Sequence, residues 1–201
     1  MPGPERTRLL CEAAEQVFLR DGYAEAGLDE VARLAGMSKR TLYQHFPSKA
    51  ALFEACIARA LAPVHGAPEP EAETEDLAAA LVGILEAAAG HLLSARQTAI
   101  FRLVIAEGGR TPELAEAFHR AILAKGASTL QRRMEWEIRR GRLRLDDAEA
   151  GARLLFGMAL GAAQVTLLLG LRAPPDGAEV ARLARLAVAI FLHGAAARTP
   201  V

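Results

Sequence analysis

The sequence has few cysteines, few aromatic residues and no excess charge of either sign. Its 201 residues include two cysteines, Cys11 and Cys56, which argues against a disulfide framework and fits a reducing cytoplasm. No basic segment followed by an apolar run opens the sequence, so we expect no secretory signal. Lys and Arg together number 24, as do Asp and Glu. Any binding to nucleic acid must therefore come from a local patch rather than from net charge.

The sequence also lacks the motifs that enzymes and metal sites require. It contains no Gly-rich phosphate loop, no nucleophile elbow and no paired carboxylates at a catalytic spacing. Four of the histidines have no second histidine four residues away and no cysteine partner: His65, His91, His119 and His193. The sequence therefore predicts no enzymatic activity, no metal site and no cofactor.

One uncharged run, residues 154–171, is 18 residues long and so reaches the lower length limit for a membrane span. It also contains Gln164, Thr166 and three glycines, and it has no aromatic belt. We interpret this run as a buried interface helix rather than as a membrane span.

Apolar residues recur at helical spacing through most of the chain, and no strand pattern of any length interrupts them. A segment with three prolines and five acids, residues 63–76, is expected to be an exposed and poorly ordered connection. The pattern predicts an all-α chain of about nine helices, over residues 5–20, 28–35, 39–46, 49–61, 77–93, 95–107, 112–140, 147–169 and 177–193.

Residues 35–49 show the pattern of a helix, a tight turn and a second short helix. Gly36 stands where the end of a helix needs a left-handed residue, and Ser38 can cap the next helix. Pro47 ends that helix, and Ser48 can cap the one after it. This is the helix-turn-helix arrangement. Residues 31–53 carry four basic side chains and no acid, a local charge of +4.

At these residues the sequence resembles the TetR (tetracycline-repressor-like) family of bacterial regulators. The resemblance covers about a quarter of the chain, from Arg8 to Phe53. Its pieces are Leu9-Leu10, Ala13-Ala14, Val17-Phe18, Gly22-Tyr23, Asp29-Glu30-Val31-Ala32, Ala35-Gly36-Met37-Ser38-Lys39, Thr41-Leu42-Tyr43, His45-Phe46, Ser48-Lys49 and Leu52-Phe53.

The resemblance implies a homodimeric, cytoplasmic regulator of transcription that binds double-stranded DNA. It implies a helix-turn-helix domain over residues 1–48, a connecting helix and linker over 49–76, and an effector-binding and dimerisation domain over 77–201. The expected DNA contacts are Ser38, the groove-facing Lys39, Arg40, Thr41 and Gln44, and the phosphate-binding Tyr43, His45 and Lys49.

Two positions depart from the family pattern. Ala26-Gly27 stand where the family usually has a Thr or Ser before the second helix, which removes a hydroxyl contact to phosphate. Arg40 stands where the family often has glycine. An arginine here can donate two hydrogen bonds to a guanine, so we expect a distinct operator sequence rather than a lost function.

Small residues on the apolar helix before the last one suggest close packing between helices. Gly157 and Gly161 are four residues apart and lie next to Ala162 and Ala163. We expect the final two helices to form a four-helix bundle with those of a second copy; packing within one chain is the alternative. The predicted dimer interface consists of Gly157, Gly161, Val180, Leu183, Ala187 and Phe191.

Aromatic, apolar and amide side chains of the C-terminal region are candidates for an effector pocket, although such residues more often form plain core. These candidates are Phe101, Ile105, Phe118, Ile122, Met134, Trp136, Phe156 and Gln164. A pocket of this composition would take a small hydrophobic or aromatic molecule. The predicted function is a repressor that such an effector releases from a palindromic operator. The alternative is an all-α module that binds a ligand or a protein and whose activity is not effector-gated release of DNA.

Two further features each have two interpretations. Cys11 is expected at the surface and Cys56 in the core; a redox switch is the alternative and would need an exposed thiolate in a basic environment. The basic run Arg132, Arg133, Arg139, Arg140, Arg142 and Arg144 is either a solvated helix face or a second nucleic-acid patch.

Overall fold

The computed structural model describes residues 3–62, 76–123 and 128–195, and these ranges are all-α, with no β-strand element. They contain ten helices: α1 (Gly3–Asp21), α2 (Leu28–Leu34), α3 (Lys39–His45), α4 (Lys49–Ala60), α5 (Leu77–Leu92), α6 (Ala95–Gly108), α7 (Pro112–Leu123), α8 (Thr129–Arg139), α9 (Ala148–Leu168) and α10 (Gly177–Ala195). The chain divides into two compact units. The first combines Met1–Ala62 with Ala99–Gly126, and the second combines Pro63–Thr98 with Ala127–Val201.

The first unit is built on the apolar stripe of α1. Its inward side chains, including Leu10, Val17 and Phe18, are fully or almost fully buried. α4 packs against both α1 and α7, and α3 packs against α2. The rings of Phe18, Tyr23 and Phe53 contact one another, with centroids 5.4 to 5.6 Å apart. This aromatic cluster holds α1 and α4 beside the turn that leads into α2.

Local hydrogen bonds end and begin the helices around α3 as the sequence predicts. Gly36 has a φ of +66°, in the left-handed region that L side chains rarely adopt. The Ser38 hydroxyl accepts a hydrogen bond from the Thr41 N–H at 3.1 Å, and the Ser48 hydroxyl accepts one from the Ala51 N–H at 3.0 Å. The predicted helix-turn-helix is confirmed.

The second unit is a helical bundle whose core lies between α5, α8, α9 and α10. α10 packs against both α5 and α9, and α8 packs against α9 and α5. Leu81, Leu85, Met134, Leu155 and Leu160 are completely buried there. α9 is long and apolar enough to cross a membrane, and its inner side chains belong to this core.

One helix prediction is wrong. The expected helix over residues 112–140 is two helices in the described residues, α7 and α8. Ser128 has extended backbone angles, and its hydroxyl accepts a hydrogen bond from the Gln131 N–H at 3.1 Å, so a new helix begins there. Of the predicted connection over residues 63–76, residues 63–75 lie outside the described ranges, and the Asp76 carboxylate caps α5.

The compact first unit extends beyond the predicted DNA-binding boundary at residue 48, because α4 packs in it together with α7. The division of labour between residues 1–48, 49–76 and 77–201 remains a prediction about function.

Candidate nucleic-acid interface

α3 presents a polar outer face because its apolar residues point inward. Leu42 and Phe46 are four residues apart and are both buried in the first unit. Lys39, Arg40, Tyr43 and Gln44 are exposed on the other side, and Thr41 and His45 are half-buried. The helix therefore offers a row of hydrogen-bond donors to a partner outside the chain.

The local charge of the helix-turn-helix is smaller than the sequence suggests. Arg33 pairs with Glu30 at 2.7 Å, and Lys39 pairs with Asp29 at 2.7 Å. The hydrogen bond that the Lys39 ammonium donates to the Asp29 carboxylate raises the pKa of Lys39 above its usual value. Both acids precede the acid-free stretch in the sequence, and folding brings them back to it. Residues 31–53 are all described and carry four basic side chains. Three of these have an acidic or a backbone partner, and Arg40 has neither.

Tyr43 and His45, the expected phosphate ligands, both lie on α3. Tyr43 is 45% exposed. The His45 Nδ1 is 3.1 Å from the carbonyl oxygen of Thr41. Because a carbonyl only accepts, this contact is a hydrogen bond in the tautomer that carries the proton on Nδ1.

Lys49 differs from the expectation that it faces a phosphate. Its ammonium donates to the carbonyl oxygens of Tyr23 and Ala24, at 2.8 Å each, and its Nζ lies 5.1 Å from the centroid of the Tyr23 ring. Two of its three N–H groups are thus used within the chain.

The predicted dimer interface is partly wrong in its residues. Val180 and Ala187 are buried in the core of the second unit, because the inward stripe of α10 passes through them. Phe191 packs partly buried against the same core, and Leu183 is half-buried. Large apolar side chains stay exposed on α9, on the residue that follows it and on α10. Together they form what we call the outer apolar face: Leu154, Met158, Val165, Leu169, Leu186 and Ile190.

The two glycines of the prediction do lie on the outer side of α9. Gly157 is exposed and Gly161 is half-buried. A Cβ atom added at either position would meet no atom within 4 Å. Neither glycine is thus required by packing within the chain.

Comparison with known proteins decides the family. The profile of the tetR family of bacterial regulatory proteins matches residues 10–56, which contain the helix-turn-helix. The profile of the C-terminal domain of AefR-like transcriptional repressors matches residues 79–194, more than half of the chain. The chain belongs to the TetR family. It is a DNA-binding regulator of transcription with an N-terminal helix-turn-helix domain and a helical C-terminal domain, as predicted.

The curated relatives are named as helix-turn-helix regulators of transcription. The transcriptional activator FasR of Mycolicibacterium smegmatis is 49% identical over 59 residues, which cover 29% of this chain and 27% of FasR. The regulator UidR of Escherichia coli K12 is 33% identical over 116 residues, which cover 56% of each protein. The matches thus span about a quarter and about half of these relatives.

A solved structure matches over nearly the whole length. The flavonoid-responsive regulator FrrA has a TM-score of 0.73 and 27% identity, over 98% of this chain and 100% of that one. The TetR transcriptional regulator of Agrobacterium tumefaciens has a TM-score of 0.75 and 26% identity, over 98% of this chain and 97% of that one, so the TetR fold accounts for both compact units.

The candidate effector residues of this TetR-family chain are divided between the two units. Phe101 and Phe118 make an edge-to-face contact in the first unit, with ring centroids 5.5 Å apart, and Ile105 there is 66% exposed. The side chain of Ile122 lies outside the described residues. Met134, Trp136, Phe156 and Gln164 belong to the second unit, where Met134 is completely buried.

Trp136 packs against guanidinium groups. The centres of the Arg133, Arg140 and Arg142 guanidinium groups lie 5.0, 4.6 and 5.1 Å from its ring centroid. The Glu137 carboxylate accepts from Arg133 at 2.7 Å and from Arg142 at 2.6 and 2.9 Å. Arg133 and Glu137 are almost fully buried, so this part of the basic run is neither a solvated face nor a nucleic-acid patch.

A cavity of about 240 Å³ in the second unit escaped the sequence analysis. It lies between the end of α5 and the start of α10 and is lined by Glu86, Ala89, Gly90, Leu93, Ser94, Pro174, Pro175, Gly177, Val180 and Ala181. Gly90 and the Pro174-Pro175 pair are the only sequence signals for it, and both are equally typical of ordinary turns.

Both cysteines are buried. Cys11 was expected at the surface, and that expectation is wrong, because the residue lies on the inward stripe of α1. The Cys56 Sγ lies 3.7 Å from the carbonyl oxygen of Cys11.

Proposed function

We propose that this TetR-family protein is a homodimeric repressor that a small hydrophobic or aromatic effector releases from a palindromic operator. The observation that carries the proposal is the outward row of donors on α3, with Arg40 at its start, within a matched helix-turn-helix. The match of the C-terminal half to AefR-like repressors supports repression. FasR is an activator, so a promoter–reporter fusion with and without the protein gives the sign of regulation.

In this proposal α3 enters the major groove. Arg40 and Gln44 lie on the exposed side of α3 and would contact base edges, together with Lys39 once it leaves Asp29. Tyr43 and His45 would hold phosphates and so set the register. The Ser38 and Thr41 hydroxyls are 2.9 Å apart, so their contact with each other would compete with a contact to DNA.

The dimer would form through the outer apolar face of α9 and α10, with Gly157 and Gly161 allowing close approach of the second copy. Such a face on a monomer would otherwise stay in contact with water. A two-fold axis would place the two recognition helices about 34–36 Å apart, one turn of DNA, and so require a palindrome.

The effector would bind the C-terminal domain. It would prefer a spacing of the two helix-turn-helix domains of the dimer, which we call the heads, that does not fit DNA. By linkage, operator and effector must then weaken each other's binding by the same factor. The eight candidate residues and the cavity between α5 and α10 are the sites to test. FrrA responds to flavonoids, which makes planar aromatic compounds the first class to screen.

Replacing Arg40 with alanine is expected to weaken operator binding by about 1–3 kcal/mol per half-site and to relax specificity at one base pair of each half-site. Fluorescence anisotropy on an operator series with single base changes measures both effects. Arg33→Ala is the matched control, because Arg33 is exposed but paired with Glu30 on α2. Equal losses on every sequence, with a shallower salt dependence, would show that Arg40 holds a phosphate instead.

A planar aromatic effector is expected to raise the melting temperature and to raise the operator Kd in the same preparation. A ligand at 100 times its Kd stabilises the folded state by about 2.7 kcal/mol. A thermal-shift screen of flavonoids finds the ligand, and anisotropy with operator DNA then tests release. A compound that stabilises the protein and leaves the operator Kd unchanged contradicts effector-gated release.

A further inference from the structure

Two charged side chains from distant parts of the sequence hold the turn between α1 and α2. The Glu107 carboxylate accepts from the Tyr23 N–H at 3.0 Å and from the Ala24 N–H at 2.9 Å. Lys49 donates to the carbonyl oxygens of the same two residues. All four backbone polar groups of Tyr23 and Ala24 are thus bound by a carboxylate and an ammonium.

The residues around this turn are shaped to admit the carboxylate. Gly22 has a φ of +82°, and a Cβ atom added to it would lie 2.7 Å from the Glu107 Oε1. The Tyr23 ring is completely buried between Phe18 and Phe53. Its hydroxyl donates to the Glu113 Oε1 at 3.2 Å, so α6, α7 and the aromatic cluster all meet the turn.

We propose that Glu107 and Lys49 form a positioning clamp for DNA binding, which sets the direction in which α2 leaves α1. α2 begins four residues after Ala24, packs against α3, and is linked to it by the Asp29–Lys39 ion pair. A displacement of the turn is therefore passed on to the recognition helix. The proposal rests on the DNA binding of the TetR family and not on effector release.

The clamp assigns Lys49 a role different from that of a phosphate ligand. A phosphate ligand adds to the number of released counterions, so its loss reduces the slope of log K against log salt by about 0.9. A positioning residue changes the fraction of heads in the binding-competent orientation. Its loss raises the apparent Kd by the inverse of that fraction and leaves the slope unchanged.

The test is a double-mutant cycle with Glu107→Ala and Lys49→Ala in the full-length protein. The DNA is a duplex that the parent protein selects from a random pool, so a failure to find a palindrome or an effector leaves this comparison intact. Anisotropy titrations between 50 and 300 mM salt give Kd and its slope. If the released turn leaves about one head in ten competent, each variant binds about tenfold more weakly per half-site at an unchanged slope.

The Kd of the double variant is expected to lie within about twofold of the Kd of the weaker-binding single variant, because both residues act on one turn. Glu113→Gln is the control, since it touches the Tyr23 hydroxyl but no backbone group, and its Kd should match that of the parent. Amide exchange must become faster at Tyr23 and Ala24 in Glu107→Ala. If that variant loses its helical circular dichroism, Glu107→Gln, which keeps one acceptor oxygen, provides the comparison.

Two results would overturn the clamp. A Kd for Glu107→Ala within twofold of the parent shows that the turn does not position the head. A salt slope that falls by about 0.9 per half-site in Lys49→Ala, with Glu107→Ala unaffected, shows that Lys49 is a phosphate ligand.

Discussion

Glu137→Ala is expected to destabilise the folded protein by about 3–5 kcal/mol, because it leaves two arginines without their shared carboxylate in a buried position. Glu137 is 0% exposed, Arg133 is 1% exposed and Arg142 is 32% exposed. For a domain of this size the change corresponds to a melting temperature lower by roughly 6–20 °C.

The size of this effect comes from the charge that remains. The Glu137 carboxylate makes three hydrogen bonds to guanidinium groups, and both partners also contact the Trp136 ring. Removing the acid leaves the Arg133 charge in a place where water cannot replace the lost carboxylate.

Differential scanning calorimetry at one fixed protomer concentration checks this prediction, because the melting temperature of an oligomer depends on concentration. Glu135→Ala is the matched control: it is the same change two residues away on α8, and its side chain accepts from Gln131. The prediction fails if the two variants melt at the same temperature.

A charge placed on the outer apolar face is expected to produce a folded monomer that binds the operator about 10²- to 10⁴-fold more weakly. Met158→Asp places a carboxylate where the second copy would pack, beside Gly157 and Gly161. The residue is 47% exposed, so the monomer itself should tolerate the change. The loss of affinity follows because one bound head no longer raises the local concentration of the other.

Sedimentation velocity measures the oligomeric state, circular dichroism the fold, and anisotropy the operator affinity. Leu19→Asp is the matched control, because Leu19 is also an exposed large apolar residue but belongs to the first unit. It should stay dimeric and bind DNA like the parent. A Met158→Asp protein that remains dimeric would show that the second copy packs elsewhere.

The same comparison separates the outer apolar face from the interface expected from the sequence. Val180→Asp should unfold the second unit rather than release an intact monomer, because Val180 lies in the core between α5 and α10. Apolar residues occur all round α10, so spacing alone did not tell its inner stripe from its outer one. The neighbouring helices decide which stripe is covered.

The basic run that begins on α8 is a second case in which spacing alone did not show which side chains are buried. Its charges suggested a solvated face or a nucleic-acid patch, yet Arg133 and Glu137 are buried together. Their spacing of four residues is typical of exposed pairs as well, so the pair gave no signal of burial. The break between α7 and α8 has a sequence signal in the cap residue Ser128. The helical periodicity on both sides of Ser128 nevertheless favoured one continuous helix.

The sequence by itself determined the helix-turn-helix and the TetR family, because the interactions that define them are local. The left-handed Gly36, the caps by Ser38 and Ser48, and the inward pair Leu42 and Phe46 each depend on residues within a few positions of one another. Only the tertiary structure decided how that element is held. Glu107 reaches the turn at Tyr23 across 84 residues of sequence and Lys49 across 26, and no local pattern encodes a contact between residues so far apart.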